Sequence, residues 1–250
     1  QRLVGSAAAG PIVEDPRKVI AQIERVAQFK EQALANIAEQ AQAGGSDEGD
    51  RLLEWYVRQA AAAALRVRKE HAEKAFLLAI GTALDDQGML TRLPTVSGVE
   101  RQLSPDAERR RRAEIVGEPT MRGRRDLAKH FFVSAHLVVI LGSDGARDAG
   151  LLKEVVDSHG GSGFSFVDLM ADRAGIVFAH AVLGGRISLE RIAREFTVAA
   201  VLPTLEDLPE GLQAAEFSAG FGGPTDPRLQ TELQKIEVRV GSLPIYGQAP

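Results

Sequence analysis

From residue 126 to residue 175 the chain runs through two long apolar segments, and nearly all their polar residues are acids, histidines or small hydroxyls set three or four apart. Charges among so many apolar neighbours are costly unless they are paired or bind something. A spacing of three or four puts such residues on one face of a helix. The two constraints together call for helices that bury their apolar surface and gather the polar positions into one interior cluster. Hydrophobic residues make up 44% of the chain and aromatic ones only 5%, so the core is aliphatic and an all-β architecture is disfavoured. The expected fold is mainly α, with an N-terminal antiparallel helical hairpin, a central helical core and a loop-rich C-terminal segment with little or no strand.

A length of 250 residues suits one large domain or two smaller ones. Composition shifts divide the chain into a helical hairpin over 1–90, an arginine-rich connection over 91–120, a helical core over 121–197 that carries the cluster, and a tail over 198–250 packed on it. The net charge of -4 gives no global attraction to nucleic acid or to an anionic membrane. With no cysteine, disulfides, thiolate metal sites and a cysteine nucleophile are excluded. Gln1 precedes a small-residue segment, Ser6-Ala7-Ala8-Ala9-Gly10-Pro11, which reads as a linker or the start of a processed chain. The apolar runs fall short of the ~18 residues of a spanning helix, so no transmembrane helix is expected, while peripheral membrane association is compatible.

Asp15-Pro16 reads as a helix start, and Ile20, Ile23, Ala27, Leu34, Ile37 and Ala41 recur behind it at near-heptad spacing up to Gly44-Gly45. Ser46 can cap a second helix with Leu53, Val57, Ala60, Ala64, Val67 and His71 on its seam, running on through Phe76 to Ile80 and stopping near Asp85. On that seam His71 is a packing histidine rather than a ligand. The run Arg109 to Arg112, with Arg101, Arg122, Arg124 and Arg125, is interleaved with Asp106, Glu108, Glu114 and Glu118 and lacks the aromatics of single-strand binders. A solvated, salt-bridged helix is the expectation there, and no nucleic-acid partner. Ser188 and Asp226-Pro227 mark two further helix starts, and Ile236, Val238 and Val240 alternate like a strand.

In the central region Asp126 lies four before His130, where its carboxylate can orient the imidazole. Glu154 and Asp157 share a face three apart, and Asp168 and Asp172 repeat the arrangement four apart on the next helix. Ser165 and Asp168 also fit a capping box, and Gly175 permits another backbone to come close. These residues define the candidate site: His130 and Glu154 as catalytic groups, His130, Glu154, Asp157, Asp168 and Asp172 as metal ligands, and Asp126 as the orienting acid. The turn Gly160-Gly161-Ser162-Gly163-Phe164 has phenylalanine where a nucleophile elbow needs glycine, and no His-Glu-x-x-His pair occurs. One imidazole among carboxylates suits Mg²⁺, Mn²⁺ or Ca²⁺ better than Zn²⁺.

The order Asp126, His130-Phe131, Lys153-Glu154, Asp157-Ser158, Gly161, Gly163-Phe164-Ser165, Asp168-Leu169, Ala171-Asp172 and Gly175 resembles the YfiM-like predicted bacterial envelope lipoproteins and, more distantly, the VanZ-like family. The resemblance covers residues 126–175 alone. It implies a location in the cell envelope or periplasm, or secretion, and short helices gathering histidine and acids into an interior cluster. It implies no reaction, and this chain differs in its shorter apolar segments and in the charged hairpin before them. Two functional expectations follow. In one, the cluster binds a divalent cation or polar envelope ligand and supports hydrolysis. In the other, the protein is a non-catalytic scaffold, the cluster is a buried network neutralised by Lys129, Lys153 and Arg173, and the N-terminal hairpin meets a protein partner or envelope component.

Overall fold

Helix α1 (Gly10–Ala27) buries Val19, Ile20, Ile23 and Ala27 along one stripe. Against it lies α2 (Glu48–Ala64), whose Leu53, Tyr56, Val57, Ala60 and Ala64 are fully buried. The computed structural model describes residues 10–29 and 48–247. The seam positions Leu34, Ile37 and Ala41, the end at Gly44-Gly45 and the cap at Ser46 fall outside them. Asp15 does not cap α1, because the helix begins earlier and Pro16 lies inside it, forgoing one intrahelical bond. The Asp15 carboxylate is instead completely buried and takes Arg68 Nε at 2.9 Å and His71 Nδ1 at 3.1 Å.

That pairing accounts for a second departure from expectation. The second helix does not continue to Asp85 but stops at Ala64, turns through a 3-10 segment (Lys69–His71) and restarts as α3 (Ala72–Leu84). Arg68 leaves helical geometry at φ -57, ψ 129, and Asp15 holds its guanidinium. No glycine or proline marks the break. His71 lies beyond the break and off the helix seam; its Nδ1 edge meets the Asp15 carboxylate and its side chain stays 30% exposed.

The connection over 91–120 is helical: α4 (Met89–Arg92), α5 (Ser97–Leu103) and α6 (Asp106–Val116), the last two packed on α1. Arg111 and Arg112 both reach Glu24 at 3.0 Å and Arg109 reaches Asp106 at 2.8 Å, so the basic run is salt-bridged. Arg112 is itself buried, against the Ser104 hydroxyl and the Thr82 carbonyl.

The centre is α7 (Arg125–Ser158) and α8 (Phe166–Leu183), in contact over most of their lengths, with α3 across α7. Gly142, at φ 76, ψ 176, breaks α7 into two limbs. Only glycine occupies such a conformation readily. Gly175 brings α8 so close to the first limb that a Cβ there would stand 2.0 Å from the Phe131 carbonyl oxygen. Around this contact Phe76, Phe131, Phe132, Phe178 and Phe196 meet with ring centroids 4.8 to 6.3 Å apart.

Five helices complete the chain: α9 (Leu189–Glu195), α10 (Val198–Val201), α11 (Ala214–Phe221), α12 (Pro227–Gly241) and α13 (Pro244–Gly247). Ser188 and Asp226 cap α9 and α12 as expected. The strand-like alternation of Ile236, Val238 and Val240 is overturned. It lies in α12, where Leu229, Leu233, Ile236 and Val240 form the buried face at helical spacing and Val238 is 61% exposed. The mainly α fold is as expected, with no named strand and only two isolated bridges among the described residues.

The boundary near residue 90 separates no cores, since one hydrophobic cluster runs from Val19 through Leu78 and Phe131 to Val240. Among the described residues one helix, α7, counted across its break at Gly142, is long and apolar enough to span a membrane by length and composition alone. Its most apolar stretch is 61% buried within the fold.

Candidate functional site

Glu154 follows His130 by 24 residues, which on an unbroken helix would separate them by about 36 Å. The break at Gly142 lets the second limb return toward His130, and α8 approaches both limbs, Gly175 at Phe131 and Asp172 at Gly150. His130, Glu154 and Asp168 each then present one ligand atom within 4.8 Å of the others, and all three are buried. Each comes from a separate helical limb, so packing rather than local sequence sets the geometry.

The His130 ring is held from both sides. Its Nδ1 lies 3.1 Å from Asp172 Oδ1, which also accepts the Ser134 hydroxyl at 2.7 Å. Because an ionised carboxylate only accepts, Nδ1 carries the proton and Nε2 faces Asp168 Oδ2 at 3.3 Å. Burial opposes the imidazolium, and Asp172 and Asp168 outweigh it, raising the pKa above the ordinary histidine value. Glu154 is fully buried. Its Oε1 takes Lys153 Nζ at 2.8 Å and its Oε2 accepts the Ser165 amide at 3.1 Å. Burial pushes Glu154 up to about 7 despite Lys153, and raises Asp168 despite His130. Asp168 Oδ1 is buried without a hydrogen-bond donor, the nearest cation being Arg124 at 3.7 Å.

Asp126 does not orient His130. Its carboxylate is gripped by Arg124, at 2.6 and 3.2 Å, and Arg124 holds it below the usual carboxylate range despite burial. Asp172 takes the orienting place, because α8 lies closer to the ring's Nδ1 edge than the preceding turn of α7 does. Asp157 stands at the margin, bound to Lys153 Nζ at 2.9 Å. Ser165 caps α8 by accepting the Asp168 amide at 3.0 Å, and because its own amide goes to Glu154 the Asp168 carboxylate is not taken up by a reciprocal cap. Of the three basic partners proposed from sequence, only Lys153 joins it. Lys129 pairs with Asp86 at 2.9 Å and Arg173 lies 3.6 Å from Glu237.

A cavity of about 580 Å³ opens over the cluster, lined by His130, Asp168, Lys153, Arg92, Arg124 and Glu210 among others. Its wall includes a strap from the C-terminal segment. Phe164 and Leu212 exchange two backbone hydrogen bonds at 2.8 and 3.0 Å, the Phe166 amide reaches the Pro209 carbonyl at 2.9 Å, and Glu210 pairs with Arg124 at 2.6 Å. Sequence reading missed Arg124 and Glu210, since nothing local to residue 210 signals a partner 86 positions away. Ser134, one turn beyond His130 on the same helix, joins the cluster through Asp172.

The class of protein is thus a mainly α one with a histidine and a buried aspartate lining a polar cavity and a buried glutamate within reach of both. Compared with protein-family models, curated proteins and solved structures, the chain matches none.

Proposed function

We propose that His130 Nε2, Glu154 and Asp168 bind a divalent cation at the cavity floor, with Asp172 and Ser134 fixing the imidazole behind it. The observation that carries this reading is the convergence of buried His130, Glu154 and Asp168, each with a ligand atom within 4.8 Å of the others, together with an Asp168 oxygen that meets no hydrogen-bond donor among the described residues. A cation there would take the place of the second ring proton that Asp172 and Asp168 favour on His130, and among the described residues Lys153 pairs with Glu154 and Asp157 rather than Asp168. A carboxylate behind a ligating histidine is the usual support of a metal-bound imidazole. One imidazole with two carboxylates suits Mn²⁺, Mg²⁺ or Ca²⁺ ahead of Zn²⁺. Such an ion would activate a water for hydrolysis of a polar molecule held in the cavity. The envelope or periplasmic setting implied by the resemblance belongs to the same proposal, and cell fractionation tests it.

The second reading is a buried structural network, and the 2.8 Å Lys153–Glu154 contact favours it. Metal analysis with thermal denaturation in Mn²⁺, Mg²⁺, Ca²⁺ and Zn²⁺, for the parent and Glu154→Ala, separates the two. A cation site gives stabilisation of about 2.7 kcal/mol at a hundred times Kd, absent in the variant. A parent indifferent to every ion, with a variant that is merely less stable, leaves the network reading.

A further inference from the structure

A second cavity, of about 290 Å³, lies on another side of α7, between α1, α3 and α5. Its apolar wall is Pro16, Ala75, Leu78, Val99, Val139 and Ile140, and its two polar residues, His71 and Lys74, are both basic. Among the described residues no carboxylate lines it. Ile140 stands ten residues beyond His130, about 15 Å along the helix, so this cavity is separate from the carboxylate cluster.

Three observations distinguish it from an ordinary surface dimple. Val99, Val139 and Ile140 come from two helices and are only partly buried, although each packs on the main core. Lys74, like Lys69, has no ion pair or side-chain hydrogen bond among the described residues, whereas Lys18, Lys129, Lys153 and Lys235 each hold a carboxylate. The His71 ring is fixed through Nδ1 by the buried Asp15, itself anchored by Arg68, so Nε2 is the polar atom left to a ligand. An apolar wall with positive charge and no acid complements one kind of molecule, an aliphatic chain ending in a single negative charge. The volume lies at the small end of ligand sites, which limits the chain to medium length.

We propose that this cavity binds a medium-chain aliphatic monocarboxylate, its chain along Leu78, Val99, Val139 and Ile140 and its carboxylate at Lys74 and His71. Calorimetric titration of the full chain with octanoate, octanol and octylammonium tests it. Octanoate binds at least tenfold more tightly than octanol, and octylammonium does not bind. Each methylene entering the cavity tightens binding about fourfold, so hexanoate, two methylenes shorter, is about fifteenfold weaker than octanoate. Lys74→Glu, an exposed change that leaves the fold intact, weakens octanoate at least tenfold. Ile140→Trp fills the cavity and abolishes binding, with Val99→Phe as the substitute from a different helix. Equal binding of the three head groups, the same affinity for hexanoate and octanoate, or octanoate binding unchanged in Lys74→Glu overturns the proposal, as does a parent that binds no octanoate.

Discussion

Lys153 is the side chain on which the two readings of the cluster diverge most sharply. Its ammonium lies 2.8 Å from Glu154 and 2.9 Å from Asp157, so it competes with any ion for the Glu154 carboxylate. Lys153→Met keeps the aliphatic stem and removes the charge. If the cluster takes a cation, Mn²⁺ affinity rises about tenfold or more, measured by calorimetry. If it is a structural network, the same change strands a buried carboxylate and lowers stability by about 3 kcal/mol or more with no ion able to restore it. Asp15 offers a test by pH. Burial opposes its carboxylate, and hydrogen bonds from Arg68, His71 and Lys18 outweigh it, holding the pKa below the usual value. A depressed acid adds stability that is complete above the ordinary carboxylate pKa and is lost as pH falls through the folded value. Denaturant titrations of Asp15→Asn are therefore expected to fall less steeply than the parent below about pH 4. Spacing made His130, Glu154, Asp168 and Asp172 legible, because helical periodicity survives in the sequence. The exchange of Asp126 for Asp172 as orienting acid was not legible, because a partner on the next helix competes with one four residues away, and only packing decides which is nearer.

Among the helices, α7 and α8 depend on two glycines for different reasons. Gly142 holds a backbone conformation open to glycine alone, so Gly142→Ala costs about 1–3 kcal/mol. An added methyl there meets nothing within 4 Å, so the break and the cluster persist and the cost is read from the denaturant midpoint alone. Gly175 has an ordinary helical backbone and no room, and Gly175→Ala meets the Phe131 carbonyl. A loss of about 3 kcal/mol is expected, read from the denaturant midpoint. The need for a small residue at 175 could be read from its place behind Asp168 and Asp172. The turn at 142 could not, because Gly142-Ser143-Asp144-Gly145 lies inside a continuous helical pattern. The break after Ala64 was equally silent, being imposed by Asp15 from another helix. In α12 two periodicities overlap over five residues, and only the longer run back to Leu229 decides for helix.

Composition sufficed for the mainly α fold, since long aliphatic windows leave few alternatives. The arrangement into subdomains was misleading, because a polar, arginine-rich stretch looks like a linker until Glu24 binds Arg111 and Arg112 and α6 docks on α1. One continuous core predicts one cooperative transition. Trp55, the single tryptophan, sits on α2 far along the chain from the cluster. Its fluorescence and the far-ultraviolet circular dichroism are expected to give the same midpoint in urea, and separate midpoints would mean two independent units. The folding-back of α7 also bears on synthesis. His130, Glu154, Asp168 and Asp172 leave the ribosome within one short stretch, after α1 to α6 have already emerged. The apolar bed contributed by α3 is therefore in place before the acids arrive, and the nascent chain assembles its charges on a surface made beforehand instead of having to enclose them later.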